Sequence, residues 1–527
     1  MNASTQLQTS SRPVVWTIAG SDSGAGAGIQ ADLKAFEAFG VHGCTVIAAV
    51  TAQNSRAVLQ VEPVSAELLD AQLAALAQDM PARAIKTGLL GSVEGVALMG
   101  RWVDALRDQA AVQGHSVALV VDPVLGATTG ASFATPALIQ ACRQELLPRT
   151  SLITPNRAEA ALLLGCPPLH DDAAVERAAR ALVTLGAGAV VITGGDHLAA
   201  PGQARDYMLT PQAQGWLSVA RVDTAHHHGT GCVFASTAAA ALASGYVVAD
   251  ALVLAKMATT QALRHGYPAG QGAGPVCPQP DFAQHIANLP MLSAGPVDFH
   301  AAAAFPALTA AALGVYSVVD SAAWVQRVLD AGIRTVQLRI KDPQEPALES
   351  EIAAAIAVAR GVAGAQLFIN DHWALALKHG AYGVHVGQED LPQVDIAALR
   401  AAGVRLGVSS HSYWEVACAH AVRPSYIACG PIFATQSKDM PWIPQGLHNL
   451  RYWAALLDVP VVGIAGIKAD NIAEVAAQGV ASAAVITAIT DAEQPAQACQ
   501  ALMDRFEEGR RSFDPRRQVK RARPTLL

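Results

Sequence analysis

The chain has 527 residues, which is too long for one hydrophobic core and predicts two large domains or three small ones. Hydrophobic residues make up 52% and charged residues 15%, a composition that excludes an intrinsically disordered protein. The net charge of −7 gives no general affinity for nucleic acid or for an anionic membrane, so any phosphate binding must come from local sites.

Targeting signals and paired cysteines are not evident. The first sixteen residues lack a charged region followed by an apolar one, so they do not resemble a secretory signal. The uncharged stretch Ala301–Val319 contains Pro306 and Gly314, which disfavours a membrane span. The eight cysteines have no CxxC spacing, which indicates reduced thiols. We therefore expect a cytoplasmic protein without a membrane partner.

Residues 1–278 predict a first α/β domain. Helical stretches alternate with six expected strands, at Val14–Ala19, Val46–Val50, Ala84–Thr87, Ala118–Asp122, Leu152–Thr154 and Ala189–Thr193. This alternation predicts a largely parallel sheet with helices on both faces. The spacing is too irregular for eight equal repeats, so an open sheet is favoured over a barrel.

A glycine-rich cluster, Ala19–Asp32, directly follows the first expected strand and opens a helix. Its glycines permit tight backbone geometry and close approach of a ligand to main-chain amides. A dinucleotide-binding loop has the spacing GxGxxG and an acidic residue about twenty positions further on. This cluster does not match that pattern cleanly. The cluster could therefore be a nucleotide-binding loop, part of a pocket for another small molecule, or a turn without a ligand.

A second cluster, His226–Gly245, leads from a glycine turn into a helix of small residues. The amides of Gly229, Thr230, Gly231 and Cys232 should lie at the positive end of this helix, where they could stabilise a phosphoryl group in transfer. Cys232 at a helix start could be a thiolate base, or simply a small residue in the core. Three adjacent histidines cannot all face one ion, so a zinc site is disfavoured.

Asn156 and Glu159 lie three residues apart just beyond an expected strand. On one helical face they could supply oxygen ligands for Mg²⁺ beside nucleotide phosphates. The same spacing is also that of a helix-start cap. The residues alone do not decide between the two.

Together these segments resemble the hydroxymethylpyrimidine/phosphomethylpyrimidine kinases of the ribokinase-like superfamily. The resemblance covers nearly all of residues 13–276 and is most specific from Ala19 to Asn54. It implies two ATP-dependent phosphorylations, with the pyrimidine held by Asp32 and Gln53, an anion hole at Gly229–Gly231 and Cys232 as the base. Thr193 departs from the family, because many relatives have lysine there.

The segment Gly266–Pro280 is dense in glycine and proline, which interrupt regular structure. We therefore place a linker at residues 279–311, the second domain at 312–508 and a basic tail at 509–527. The tail holds six basic residues and one acidic residue from Arg511 onward. A frayed, solvated end is favoured over a phosphate-binding tail.

The second domain predicts a (β/α)8 barrel. Eight short apolar runs recur every twenty to thirty residues, and amphipathic segments separate them. The runs begin at Gly314, Thr335, Leu367, Tyr382, Arg405, Tyr426, Val461 and Ala483. Active sites of such barrels lie at the carboxyl ends of the strands.

Polar and charged residues follow these runs and should meet at one rim. They are Lys341, Asn370, Asp371, Asp390, Ser409 and Lys438. Asp371 and Asp390 with diphosphate oxygens would form an ordinary Mg²⁺ shell. Arg339 and Lys341 share one strand face. Lys438 could neutralise a departing diphosphate, and Gly466 and Thr487 lie where barrels commonly bind phosphate.

The same residues resemble thiamine phosphate synthase over about residues 314–492. The resemblance implies that Asp371 and Asp390 bind Mg²⁺. It assigns the pyrimidine diphosphate to Gln337, Arg339, Lys341, Asn370, Ser409 and Lys438, and the thiazole phosphate to Thr435, Ser437, Gly466, Ile486 and Thr487. Four positions depart from the usual family residue, namely Ala434, Ser437, Ala465 and Thr487, of which Ala465 replaces the first glycine of a Gly-Gly-Ile motif.

The two implied reactions are consecutive, since the product of the kinase is the substrate of the synthase. The sequence therefore predicts a bifunctional enzyme of thiamine biosynthesis that uses Mg²⁺ and ATP and binds small-molecule substrates. The alternatives are a kinase-like half that only binds pyrimidine or docks, and a sugar kinase fused to an isomerase barrel. The oligomeric state stays open, a homo-oligomer included.

Overall fold

The structure, a computed structural model, describes residues 12–126, 133–195, 202–295, 303–310, 313–434 and 441–526. The chain divides into two compact units, Met1–Ala283 with Ala287–Pro296, and Gln284–Ile286 with Val297–Leu527. None of the helices found in these ranges is long and apolar enough to cross a membrane.

The first unit contains a mixed sheet of ten strands among its described residues. The strands are β1 (Val14–Asp22), β2 (His42–Gln53), β3 (Val58–Pro63), β4 (Ala84–Thr87), β5 (Ala118–Val121), β6 (Leu152–Ile153), β7 (Val190–Ile192), β8 (Gln203–Leu209), β9 (Gln214–Ala220) and β10 (Met291–Ser293). Their order in the sheet is β10-β9-β8-β7-β6-β5-β4-β1-β2-β3. The six predicted strands are its parallel centre, and β3 and β8–β10 are antiparallel additions. The predicted open sheet is confirmed.

Helices cover both faces of this sheet. They are α1 (Gly28–Phe39), α2 (Ala66–Asp79), α3 (Val93–Val112), α4 (Pro136–Ala141), α5 (Arg157–Leu164), α6 (Asp172–Thr184), α7 (Thr230–Ala243) and α8 (Val248–Arg264). Residues of α2–α6 join one large core with sheet residues such as Trp16 and Ile85, whereas α1, α7 and α8 form a second cluster around Val233. Ser65 and Ser92 cap α2 and α3 by accepting backbone N–H groups, which explains why those helices begin there.

The second unit is a closed barrel of eight parallel strands. They are β11 (Gly314–Val319), β12 (Thr335–Leu338), β13 (Gln366–Asn370), β14 (Gly383–Val386), β15 (Arg405–Ser410), β16 (Tyr426–Cys429), β17 (Val461–Ile464) and β18 (Ser482–Val485), and β18 pairs with β11 to close the ring. All eight predicted runs are strands, so the predicted (β/α)8 barrel is confirmed.

The helices of this unit follow the strands in the expected alternation. They are α9 (Ala322–Asp330), α10 (Leu348–Arg360), α11 (Trp373–His379), α12 (Ile396–Ala401), α13 (Tyr413–Val422), α14 (Gly446–Leu456), α15 (Ile472–Ala476), α16 (Thr487–Thr490) and α17 (Pro495–Arg511). Because every strand is parallel, the carboxyl ends of all eight strands meet at one rim.

The segment predicted as a linker, residues 279–311, is partly structured and divides between the two units. Phe282 and Asn288 are buried in the first unit, and β10 adds an antiparallel strand to its sheet. Phe305 belongs to the second unit, where its N–H donates to the carbonyl oxygen of Arg423 at 3.0 Å. Parts of this segment therefore pack on the units, as a docking segment would, and a glycine- and proline-rich composition does not show which backbone groups find partners.

The basic tail is not the frayed end that its composition suggested. After α17 the chain continues to Leu526 along the barrel, and Ala522 and Thr525 are buried. Its contacts are mainly made by backbone atoms, so charge composition could not reveal them.

Candidate active sites

The loop after β1 is organised around Asp22. Its carboxylate accepts hydrogen bonds from the N–H groups of Gly24, Gly26 and Ala27, at 2.7, 2.9 and 2.8 Å. Burial would raise the pKa of Asp22, but hydrogen bonds from His228 and from these three amides outweigh it and hold the pKa below its usual value. An ionised aspartate thus fixes the glycine-rich turn before α1 begins.

The two glycine-rich clusters pack directly against each other. A Cβ atom on Gly26 would lie 2.2 Å from the His228 ring, and one on Gly229 would lie 2.1 Å from the carbonyl oxygen of Gly26. Neither position can hold a side chain without movement of the backbone or the ring. Gln53 Nε2 lies 3.2 Å from His228 Nε2, so the predicted pyrimidine contact Gln53 lies where the two clusters meet.

The start of α7 has the geometry of an anion site. Gly229 precedes the helix with a φ of 85°, and as a glycine it has no side chain with which to cap the first turn. The amides of Thr230, Gly231 and Cys232 therefore lie at the positive end of a 14-residue helix. The predicted anion hole is consistent with this arrangement.

A buried charge cluster lies beneath this helix start. Lys86 Nζ is 3.0 and 3.1 Å from the two oxygens of Asp32 and 3.7 Å from Asp122 Oδ2. Asp32 also accepts hydrogen bonds from Thr17 at 2.6 Å and from Ser236 at 2.7 Å. Asp32 is fully buried, and its oxygens bind within the core, so its position does not support the prediction that it touches the pyrimidine.

Asp122 is a member of the cluster that lies close to the helix start. A Cβ atom on Gly231 would be 4.0 Å from Asp122 Oδ2. Burial raises the pKa of Asp122 to about 6; the Lys86 ammonium lowers it and the Asp32 carboxylate adds to the increase. Sequence reasoning missed Asp122 and Lys86, although a lysine within the apolar strand β4 was a visible signal.

The prediction that Cys232 is a thiolate is not supported by its surroundings. Burial raises the pKa of its thiol to about 12. The Lys86 charge and a hydrogen bond from the Gly28 backbone lower the pKa, whereas Asp32 and Asp122 raise it further. The helix-terminus effect is outweighed, so the free protein holds a protonated thiol at neutral pH.

Asn156 and Glu159 form a capping box at the start of α5. Asn156 Oδ1 accepts the Glu159 N–H at 2.9 Å, and Glu159 Oε2 accepts the Asn156 N–H at 3.0 Å. The other Glu159 oxygen lies 3.3 Å from the Leu125 nitrogen. Of the two alternatives that the sequence left open, the geometry favours the cap over the Mg²⁺ pair. Among the described residues, no group of three or more His, Cys, Asp or Glu side chains is arranged to bind a metal ion.

In the barrel, Asp371 lies near a second carboxylate, that of Asp390. Asp371 follows β13 with a φ of 62°, and its N–H donates to the His385 carbonyl oxygen at 2.9 Å. Burial and the nearby charge of Asp390 raise the pKa of Asp371, against the opposite effect of Arg339. Asn370 Nδ2 donates to Asp371 Oδ2 at 2.5 Å. The structure thus brings Asp371, Asp390 and Arg339 close together.

A hydrogen-bonded chain crosses the barrel interior below Ser409. Ser409 Oγ lies 2.9 Å from His385 Nε2, and His385 Nδ1 lies 2.8 Å from the Tyr426 hydroxyl. Tyr426 and Tyr316 share a hydrogen bond of 2.8 Å, and Gln337 Nε2 donates to Tyr316 at 3.3 Å. Burial lowers the pKa of His385 to about 4, helped by the Arg339 charge, so the ring is neutral. The two predicted substrate contacts Gln337 and Ser409 are therefore the ends of one hydrogen-bond network. The sequence analysis predicted the two residues but not the network that joins them.

The ends of β17 and β18 form the predicted phosphate side. Gly466 has a φ of 69°, and a Cβ atom there would lie 2.6 Å from Phe433 Cβ. Ile486 and Thr487 start the short helix α16. Ala465 has a φ of 78°, a conformation that glycine adopts without strain and alanine does not. Thr435, Ser437 and Lys438 lie outside the described residues.

Comparison with known proteins gives separate matches for the two units. The family model for phosphomethylpyrimidine kinase matches residues 22–277, and that for thiamine monophosphate synthase matches residues 315–489. A thiamine-phosphate synthase of Serratia proteamaculans (strain 568) is 55% identical over 204 residues, which are 38% of this chain and 95% of that protein. The chain belongs to the phosphomethylpyrimidine kinase and thiamine-phosphate synthase families.

Solved structures similar to the kinase unit include two kinases. A phosphomethylpyrimidine kinase from Clostridium difficile 630 is 32% identical, with a TM-score of 0.41, and the match covers 48% of this chain and 100% of that one. A pyridoxal kinase of Bacillus subtilis in complex with ADP is 33% identical, with a TM-score of 0.46, and the match covers 51% of this chain and 98% of that one. The two family models and the Serratia synthase confirm the resemblances drawn from the sequence for the kinase and synthase units.

Proposed function

We propose that this chain catalyses two consecutive stages of thiamine biosynthesis. The kinase unit phosphorylates 4-amino-5-hydroxymethyl-2-methylpyrimidine and then its monophosphate with ATP. The synthase unit joins the resulting diphosphate to thiazole phosphate and releases pyrophosphate. The observation that carries the proposal is that one chain contains both family matches, each over a unit with its own assembled site.

In the kinase unit, the substrate hydroxyl attacks the γ-phosphoryl of ATP in line. The amides at the start of α7 stabilise the charge that spreads over the phosphoryl oxygens, which is the main task in phosphoryl transfer. Gln53 and His228, 3.2 Å apart between the glycine clusters, are suited to hold the pyrimidine. Cys232 receives the hydroxyl proton only in the small fraction of molecules in which its thiol has ionised.

The cation that accompanies ATP would be held by Asp122. Its buried carboxylate lies near the start of α7, and a pKa raised to about 6 indicates an anion that lacks full compensation in the free protein. A Mg²⁺ ion, which favours oxygen ligands, would supply that compensation. Asn156 and Glu159, by contrast, are engaged in the capping box.

In the synthase unit, Asp371 and Asp390 would hold Mg²⁺ with the diphosphate of the pyrimidine. The residues fit this role, because burial and the nearby charge of Asp390 raise the pKa of Asp371, and a bound cation would offset both effects. The ion neutralises charge on the leaving diphosphate when bound. Asn370 orients the Asp371 carboxylate, and Arg339 contributes positive charge at the same rim.

The remaining contacts position the two substrates for carbon–nitrogen bond formation. Gln337, Lys341, Asn370, Ser409 and Lys438 bind the pyrimidine diphosphate. Thr435, Ser437, Gly466, Ile486 and Thr487 bind the thiazole phosphate. Departure of pyrophosphate leaves a methylene cation that the aminopyrimidine stabilises, and the thiazole nitrogen captures it. The hydrogen-bonded chain from Gln337 to Ser409 supports this arrangement by fixing two contacts relative to each other.

A coupled assay tests the proposal. The purified chain is given hydroxymethylpyrimidine, thiazole phosphate and Mg-ATP, and thiamine phosphate is measured by fluorescence after oxidation to thiochrome phosphate. Omission of ATP should abolish product, and supply of the pyrimidine diphosphate should restore it without ATP. Product from the diphosphate but none from hydroxymethylpyrimidine with ATP would instead indicate a kinase unit that only binds its ligand.

A further inference from the structure

The segment after α17, residues 513–526, is called here the C-terminal strap. Asn449 on α14 makes a reciprocal pair of bonds with its backbone, because the Arg523 N–H donates to Asn449 Oδ1 at 2.8 Å and Asn449 Nδ2 donates to the Arg523 carbonyl at 3.0 Å. Ala522 and Thr525 on either side are 1% and 3% exposed. The strap is therefore docked on the barrel through its backbone and two buried side chains.

The strap joins the starts of two neighbouring helices. The Ala522 N–H donates to the hydroxyl of Tyr413, the first residue of α13, at 3.1 Å. Three residues before α14 begins, the Ile443 N–H donates to the Thr525 carbonyl at 2.8 Å. His448 in the first turn of α14 lies 3.0 Å from the Arg521 carbonyl. Both helix starts follow strand ends, so the strap lies at the side of the barrel where the substrates bind.

The same region is tied to Ser409. His411 follows Ser409 by two residues, and its ring stacks on Trp442 with centroids 4.9 Å apart and planes 7° from parallel. Glu415 in the first turn of α13 accepts bonds from both the backbone N–H and the ring of His411 at 2.6 Å. Trp442 is adjacent to Ile443, which the strap holds. The strap, Trp442 and His411 thus form a continuous set of contacts that ends at Ser409.

We propose that the C-terminal strap is a positioning element of the synthase reaction. It fixes the starts of α13 and α14 and, through Trp442 and His411, keeps the Ser409 hydroxyl placed for the pyrimidine diphosphate. The inference rests on the proposed function, which assigns that substrate to Ser409. The strap need not touch the substrate itself. Its loss is expected to weaken binding of the pyrimidine diphosphate and to lower the synthase rate with that substrate.

A chain ending at Ser512 tests the proposal. Misplacement of a binding group by about 1 Å can cost up to about 100-fold, so we expect kcat/KM for the pyrimidine diphosphate to fall about 10- to 100-fold, mainly through a higher KM. The KM for thiazole phosphate should change less, because three of its five proposed contacts, Gly466, Ile486 and Thr487, lie beyond the ends of β17 and β18. Kinase activity measured on the same chain serves as the internal control and should be unchanged.

Rescue separates positioning from simple loss of fold. A synthetic peptide of residues 513–527 added to the shortened chain should restore synthase activity with saturation. Should the shortened chain be insoluble, Tyr413→Phe removes one strap contact and should raise the same KM roughly 2- to 10-fold. Arg523→Ala is the matched control, because the exposed Arg523 side chain is not used in its contacts with Asn449, and it should be neutral.

The outcomes are distinct. Equal synthase kinetics in the shortened and full-length chains would overturn the inference, as would an equal rise in both KM values without peptide rescue. A full-length chain that makes no thiamine phosphate from supplied diphosphate would overturn the proposed function and the inference together. A selective rise in the pyrimidine diphosphate KM that the peptide reverses supports the strap.

Discussion

Asp122→Asn should stabilise the free kinase unit while it lowers kinase activity. Asp122 shares a buried cluster with Asp32 and Lys86, so two carboxylates face one ammonium group. Asp32 has the shorter contacts to Lys86, at 3.0 Å against 3.7 Å for Asp122. Asp122 is therefore the carboxylate that the cluster compensates less well, and asparagine removes its charge with little change in volume.

The raised pKa of Asp122 gives the magnitude. A shift from 3.8 to about 6 means that the ionised side chain costs the folded state about 3 kcal/mol relative to the unfolded chain. This value is an upper bound for the gain, because the asparagine amide must find its own hydrogen-bond partners. We expect the variant to gain about 1–3 kcal/mol in unfolding free energy at pH 7.5.

The dependence on pH has a defined sign. Between pH 6 and pH 4 the folded protein holds a proton on Asp122 that the unfolded chain has released, so this group adds stability as the pH falls. Asp122→Asn lacks this contribution. The advantage of the variant over the wild type should therefore be greatest above pH 6 and should shrink toward pH 4.

Amide hydrogen exchange of the full chain measures this effect for one unit at a time. Peptides that cover β4 and β5 report on the sheet beside Asp122, and peptides from the barrel serve as an internal reference. Lys86→Met is the opposing control, because it leaves buried carboxylates unpaired and should cost about 3–5 kcal/mol. Slower exchange in Lys86→Met than in the wild type, or an Asp122→Asn variant less stable at pH 7.5, would refute the reasoning.

Four further predictions follow from single features. Ala465→Gly should raise the unfolding free energy of the barrel by about 1 kcal/mol, because glycine adopts the positive φ of this position without the strain that alanine has there. Urea denaturation measures the change, and an unchanged midpoint would contradict the strain. Asp371→Asn and Asp390→Asn should each increase the Mg²⁺ concentration needed for half-maximal synthase rate, and unchanged magnesium curves would place the ion elsewhere. Cys232→Ala should lower the kinase rate about 100-fold or more. In a pH profile of the wild type, the kinase rate should keep rising through pH 9, whereas a thiol of normal pKa would produce a plateau there. A chain divided within residues 296–302 should give two soluble fragments with one activity each, and an inactive fragment would show that the division is misplaced.

Local sequence pattern predicted the parallel strands of both units because those strands are apolar and are separated by amphipathic helices. The antiparallel strands were not predicted, because their sequences do not show the same apolar pattern. Strand β8 contains Arg205 and Asp206, which look solvent-exposed in the sequence, yet both are buried. Lys256 on α8 lies 2.6 Å from Asp206 Oδ2, and this partner is fifty residues away in the chain. A charged residue in a strand becomes interpretable only when its distant partner is known.

The barrel rim shows which part of a site can be predicted from one sequence. Asp371 and Asp390 follow strand ends and Ser409 is the last residue but one of β15, and parallel closure of the barrel dictates that such ends meet. The support beneath them could not be derived in this way. Tyr316 and Tyr426 lie in apolar strands and appear as core residues, and only the closed barrel shows that their hydroxyls link Gln337 to Ser409.

Cys232 shows why a local rule about chemistry is less reliable than a local rule about fold. A helix start favours a thiolate through the partial charge of a few amides, an effect that falls off within the first turn. Burial acts on the same thiol in the opposite direction, and Asp32, from a segment two hundred positions earlier, adds to it. The rule singled out Cys232 as a candidate base, but it did not include the effect of tertiary burial on the pKa of the thiol. Only a small fraction of such a thiol is ionised at neutral pH, so the reactivity proposed for Cys232 depends on burial and on the charges of Lys86, Asp32 and Asp122, which a rule about helix starts does not include.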